Sequence, residues 1–211
     1  MSSGKLTKEY YNGKYYENHP EQYLDFFDGD TTNTLEAEKI HVHLVNREVM
    51  SLRWYGTITP QLLAGEDSSS VTQRKFQFQT ESDDASEVFI CPTGIVNINE
   101  MSYGLSTDDY HEDESSNKPN FTSGHRIVDN SDTHSTKVKT GYITLDIGRE
   151  YSIIIIYGNN SGLAEMRFGY TPCDNDNEIL LGTTYGSIDS NDDGVFASEY
   201  LDFSPTFSEP Y

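Results

Sequence analysis

The sequence predicts an all-β fold, and three observations carry that prediction. Apolar residues recur with a two-residue period in one segment after another, the pattern of strands with one face buried and one face wet. No long segment shows the three-to-four-residue period of an amphipathic helix. The periodic segments are separated by runs rich in Asp, Asn, Ser and Gly, which suit turns and irregular loops. At 211 residues the chain is long enough for one large β-sandwich or barrel and short for two domains. Residues 1–211 are therefore expected to form a single unit with long polar loops.

The elements follow in chain order. In 40–46 (IHVHLVN) Ile40, Val42 and Leu44 share a face, and in 50–58 (MSLRWYGTI) Met50, Leu52 and Trp54 do. Phe76 and Phe78 align in 75–80, and Ile143, Leu145 and Ile147 align in 141–147. Four isoleucines in a row, 153–156, suit a strand buried on both faces. Ala164, Met166, Phe168 and Tyr170 align in 164–170. The longest irregular stretch runs from about Met101 to Thr136, and the acidic, aromatic tail begins near Thr183.

Composition narrows the function. With 14 basic and 35 acidic residues the formal net charge is −21, which repels nucleic acid and anionic membranes alike. Such a surface serves solubility, and some of its carboxylates can also collect divalent cations. No run approaches the length of a membrane span. The opening MSSGKLTKEYY has no apolar signal core and reads as the start of a module cut from a longer chain. Two cysteines, Cys91 and Cys173, permit one disulfide without requiring it. Neither a Gly-x-Ser-x-Gly elbow nor a Walker-type phosphate loop is present, so no catalytic residues are assigned and a non-enzyme is expected.

Three segments, taken in order, resemble the protective-antigen-type (PA-14) domain, a β-sandwich. SLRWYGTI (51–58) is similar to the family strand with an aromatic core position and a following Gly. FQFQTESDDASEVFI (76–90) is similar to the family hairpin, whose first strand ends in Ser-Asp-Asp. TGYITLDIGREYSIIIIYGNNSGLAEMRFGYT (140–171) is similar to the next two strands and the loop after them. IVDN (127–130) matches the short segment before those strands, and KLTKEYYNG (5–13) matches the opening strand. The resemblance spans roughly residues 5–172.

What the resemblance implies is a sugar-binding module, as in the yeast flocculins, yeast epithelial adhesins and bacterial surface adhesins of this family. Calcium takes hard oxygen ligands. Successive strand residues normally point to opposite faces. In this branch the Asp83-Asp84 peptide is cis, which lets both carboxylates serve one calcium ion. Asn159, two residues after the strand-ending Tyr157, is the implied side-chain ligand from the following loop. Backbone carbonyls near Ser161 and Leu163 complete the metal set, and Asp83, Asp84, Asn160 and Gly162 are the implied sugar contacts. The ligand class is a cell-surface glycan presenting two neighbouring hydroxyls, and the setting is an extracellular, cell-surface adhesin of which this chain is one part. The alternatives are a structural or peptide-binding adhesin module without sugar affinity, and an accessory domain of a glycoside hydrolase. Only Cys91 stands where the yeast lectins place a cysteine pair. Asn159-Asn160-Ser161 is a glycosylation sequon, and a glycan there would block the site. Both departures favour a bacterial relative.

Other constellations weigh less. Asp189, Asn191, Asp193 and Gly194 begin an EF-hand-like spacing, but Tyr200 stands at position twelve and Glu199 is one place early. They read as a second calcium site or as a solvated turn. Asp174, Asp176 and Glu178 alternate in the same way. His41 and His43 share a strand face but have no evident third ligand, so they read as ordinary strand residues. His111 and His125 sit in the long loop, where Tyr103 and Tyr110 are the candidates for stacking on a sugar. Trp54 falls on the core face of its strand.

Overall fold

A computed structural model describes residues 5–16, 33–37, 40–44, 49–63, 65–92, 94, 125–173, 185–186 and 201–205. Its strands are β1 (Leu6–Asn12), β2 (Asn33–Ala37), β3 (His41–Leu44), β4 (Met50–Pro60), β5 (Gln73–Asp83), β6 (Ser86–Ile90), β7 (His125–Asn130), β8 (Lys137–Asp146), β9 (Tyr151–Asn159), β10 (Ala164–Cys173), β11 (Tyr185–Gly186) and β12 (Leu201–Ser204). They form two antiparallel sheets. The larger runs β2-β1-β4-β9-β6-β7, with β12 also on β4, and the smaller runs β11-β10-β5-β8, with β3 also on β10. No α-helix occurs among the described residues.

The predicted periodicity places the core. Met50, Leu52 and Trp54 of the larger sheet pack in one cluster with Phe76, Phe78, Ile143, Leu145, Met166, Phe168 and Tyr170 of the smaller. This is the filling of a β-sandwich. Each fully buried side chain of this size contributes roughly 1.5–3 kcal/mol. Trp54 is completely buried there. The isoleucine run divides as its position demands. Ile153 and Ile155 enter the core between the sheets. Ile154 and Ile156 join Tyr11, Tyr15, Tyr16, Phe89 and Cys91 in a second cluster, so both faces of β9 are dry.

Three expectations are corrected. The stretch taken as irregular from Met101 to Thr136 contains β7, which pairs with β6 along the edge of the larger sheet; residues 101–124 lie outside the described residues. Its mixed polar pattern hid it, because an edge strand needs less apolar surface. Ile147 does not continue β8: it sits in the turn after Asp146, its amide donating to the Thr72 carbonyl at 2.9 Å. The Ser-Asp-Asp segment is no hairpin, because β5 and β6 belong to different sheets and Asp84-Ala85 is the crossing between them. Cys91 and Cys173 are buried, unlinked thiols that follow or end strands of different sheets.

The crossings organise the molecule. β5 to β6, β7 to β8 and β9 to β10 each pass from one sheet to the other. Their connecting segments meet at one end of the sandwich, where Gly158 N donates to Ala85 O at 2.9 Å and Asp84 accepts bonds from both other connections. The crossings from β4 to β5 and β8 to β9 meet at the opposite end, where Gly148 N donates to Pro60 O at 2.8 Å.

Candidate functional site

The three-crossing end holds the sequence-predicted residues. Asp83 closes β5, and the Asp83-Asp84 peptide is cis, the one non-proline cis bond among the described residues. Asp84 is buried, at 3% exposure, while Asp83 is half-buried. Both carboxylate oxygens of Asp84 are fixed by backbone amides: Asn160 N donates to Oδ2 at 2.8 Å and His134 N to Oδ1 at 3.1 Å. Each oxygen keeps a further acceptor site. Tyr157 donates its hydroxyl to the Asp83 carbonyl at 2.5 Å, which fixes the backbone of the pair against β9.

Asn159 ends β9 opposite Met50 and is fully buried. Other contacts hold the residue, but its Oδ1 is a buried oxygen that accepts no hydrogen bond. A buried sequon asparagine leaves no room for a glycan on its side chain, so in the folded chain the sequon does not compete with the site. Asn160 makes the loop's hydrogen bond to the pair. Ser161 and Leu163 are exposed further along the loop, and Gly162 lies between them at φ 96°, the left-handed region that glycine enters freely. Gly158, just before Asn159, has no space for a side chain: a Cβ would stand 2.7 Å from the Tyr16 ring and 2.8 Å from the Tyr15 ring.

The electrostatics are those of crowded anions. Burial and then the Asp84 carboxylate push the Asp83 carboxyl above its ordinary range; Glu165, its partner across the β5–β10 ladder, adds to the rise, and His134 opposes it. Burial and then the Asp84 and Asp83 charges raise the Tyr157 hydroxyl far above the usual tyrosine value, so it stays a donor at physiological pH. A cation at the pair would relieve these repulsions.

The donor set fits a hard cation. Two carboxylates, a buried amide oxygen and loop carbonyls are all oxygen ligands of the type calcium takes. Among the described residues no three His, Cys, Asp or Glu side chains cluster to hold a metal, so any ion here must draw on amide and backbone oxygens beside the aspartates. Sequence reading missed His134, Asn130 and Ser82, which surround the pair; their contacts join distant parts of the chain and follow no period. Of the residues weighed elsewhere, Asp189, Asn191, Asp193, Gly194, Glu199, Tyr200, Asp174, Asp176, Glu178, His111, Tyr103 and Tyr110 lie outside the described residues. His41 and His43 fall in β3 and His125 in β7.

Comparison with known proteins adds the fold. No protein-family model and no curated protein matches the chain. Solved structures do. The Epithelial Adhesin 9 A domain from Candida glabrata, in complex with Galβ1-3GlcNAc, superposes with a TM-score of 0.57 at 10% identity, over 98% of this chain and 92% of that one. The PA14 sugar-binding domain from an RTX adhesin superposes with a TM-score of 0.54 at 11% identity, over 96% of this chain and 100% of that one. An anti-sigma factor domain-containing protein from Clostridium clariflavum superposes with a TM-score of 0.54 at 16% identity; it covers 100% of this chain, which spans only 49% of that protein's length. Two antiparallel sheets, their core and these superpositions establish that the chain has the fold of the PA14 adhesin domains.

Proposed function

We propose that this chain is a calcium-dependent carbohydrate-binding module of a cell-surface adhesin. The observation that carries the reading is the meeting of the Asp83-Asp84 crossing with the Asn159–Leu163 loop, closed by the 2.8 Å bond from Asn160 N to Asp84. Asp83, Asp84 and Asn159 would hold the ion, with backbone carbonyls near Ser161 and Leu163 completing the set. Calcium bound there would offer open positions to two neighbouring sugar hydroxyls. The carboxylates of Asp83 and Asp84 would accept hydrogen bonds from those hydroxyls, and Asn160 and Gly162 would line the same ligand. A charged acceptor makes such bonds stronger than neutral ones. The partner is a cell-surface glycan, the setting is extracellular, and no catalytic step is involved. Support comes from the fold, which a sugar-binding RTX adhesin domain and a glycan-bound Candida glabrata adhesin domain share.

One diol offers few contacts, so affinity per module is expected at about millimolar to micromolar, with strength coming from many copies. A glycan array probed in calcium and again in EDTA tests the proposal. Binding in calcium that vanishes in EDTA is expected, and Asp84→Ala should abolish it while the sandwich stays folded. Binding that ignores the chelator, or no glycan bound at all, favours a structural or peptide-binding module instead. Turnover of a glycoside would point to hydrolase association.

A further inference from the structure

Asp84 is held from two sides, and only one side belongs to the loop that resemblance to a family picks out. The other is the turn between β7 and β8, residues 131–136. His134 N from this turn donates to Asp84 Oδ1 at 3.1 Å. The turn is built to keep that amide in place. The His134 ring lies across it, with Nε2 3.2 Å from Asn130 O and Nδ1 2.8 Å from Ser135 O, and the single N–H of a neutral ring donates to one of these two carbonyls. Asp132 takes φ 76°, a left-handed conformation that aspartate adopts more readily than most residues. At the start of the turn Ser131 bonds back to Asp129 Oδ1 through its amide at 3.1 Å and its hydroxyl at 2.5 Å.

The anchor beneath the turn is Asn130, fully buried. Its Nδ2 donates to Ser82 Oγ at 3.0 Å and to Lys137 O at 3.0 Å, tying both ends of the turn to β5. Ser82 also bonds Ser86 at 2.7 Å, across the Asp83-Asp84 crossing. The contacts close a circuit: Ser82 to Asn130, Asn130 to His134, His134 to Asp84, and Asp84 back along the chain to Ser82. Every member is side-chain or backbone polar, and the segment that carries both aspartates is one side of the circuit.

We infer that His134, through the turn it closes over Asn130, is a positioning residue that fixes the Asp84 carboxylate for the ion. This inference rests on the calcium reading above. The physical reason is pre-organisation. A carboxylate free to rotate must be ordered when the ion arrives, whereas one already gripped at both oxygens presents its remaining acceptor sites in a single orientation. Removing such outer partners of a ligand weakens metal affinity by about 10–100-fold.

The experiment titrates calcium alone, by calorimetry, into the wild-type chain, His134→Ala, His134→Gln and Asp84→Asn, and records each melting temperature in EDTA. Expected is tight binding by the wild type, a loss of about 10–100-fold in His134→Ala, an intermediate loss in His134→Gln, which keeps a donor for the turn, and no binding by Asp84→Asn. The EDTA melting temperatures of the His134 variants should match the wild type. Amide exchange in EDTA reads the contact itself: the His134 amide should be protected in the wild type and unprotected in Asp84→Ala, which leaves no acceptor there. Wild-type calcium affinity in His134→Ala, or an unprotected His134 amide in the wild type, overturns the inference. A fall in melting temperature with unchanged calcium affinity also overturns it, because the role is then structural only. If the wild type itself gives no calcium signal, the calcium reading has failed and the positioning role falls with it.

Discussion

At the scale of single residues the site is a set of anions held together by donors. The raised Asp83 carboxyl means that the folded chain holds its proton more tightly than the unfolded chain does. Without a cation, stability therefore falls as pH rises from the ordinary aspartate range through the raised value, and above that value the group is a net cost. Asp83→Asn should leave the melting temperature in EDTA equal to or above that of the wild type. Added calcium should raise the wild-type melting temperature and leave the variant's unchanged, because a ligand stabilises only the state that binds it. A scanning-calorimetry series across both conditions checks this, and a variant less stable than wild type in EDTA would contradict the repulsion described here. Asp83, Asp84 and Asn159 were chosen as candidates only through family resemblance, since composition offers 35 acidic residues and no way to choose among them. His134 was not legible at all. Its contact is a backbone amide donating to a residue 50 positions away, and a backbone donor leaves no mark in residue type.

Among the elements, β9 was the most readable. Four isoleucines in succession suit a strand dry on both faces, and the structure divides them between two clusters. The consequence is measurable. Ile154→Ala and Ile155→Ala point to opposite faces, yet each should cost about 2–5 kcal/mol in denaturant unfolding; a half-buried strand would make one of them nearly free. By contrast Val138→Ala, on an exposed β8 position at 49%, should stay within about 0.5 kcal/mol of wild type. Local period placed β4, β5, β8 and β10 correctly because each presents one apolar face to the core. It failed for β7, an edge strand whose Arg126 and Asp129 form an ion pair at 2.9 Å, because a sequence window cannot see the neighbour that makes such residues strand residues. It also read the Ser-Asp-Asp segment as a hairpin, since a short polar gap between strands looks the same whether the chain turns back or changes sheet.

For the molecule as a whole, charge is the dominant long-range term. A net charge of −21 makes the compact state repel itself, and salt screens that repulsion over about 10 Å at 0.1 M. In EDTA, raising sodium chloride from about 10 mM to about 200 mM should increase the melting temperature; a fall would mean that internal ion pairs, such as Arg53–Glu9 at 2.6 Å and Arg126–Glu87 at 2.9 Å, outweigh the net repulsion. An all-β sandwich or barrel was predictable from period and composition, and the family resemblance chose the sandwich. The convergence of three crossings on one end was not, because it depends on which strands share a sheet, and that is decided by contacts between segments far apart in the chain.

Those crossings also bear on mechanics. Asn159 is the last residue of β9, and β9 is paired with β4 from Met50–Asn159 to Ile58–Tyr151 and with β6 from Ser86–Tyr157 to Ile90–Ile153. A tethered ligand pulling on the site along the strand axis would load both ladders in shear, so their bonds would have to yield together. Tension that would peel an edge strand open one bond at a time would instead be shared along a strand buried over its whole length.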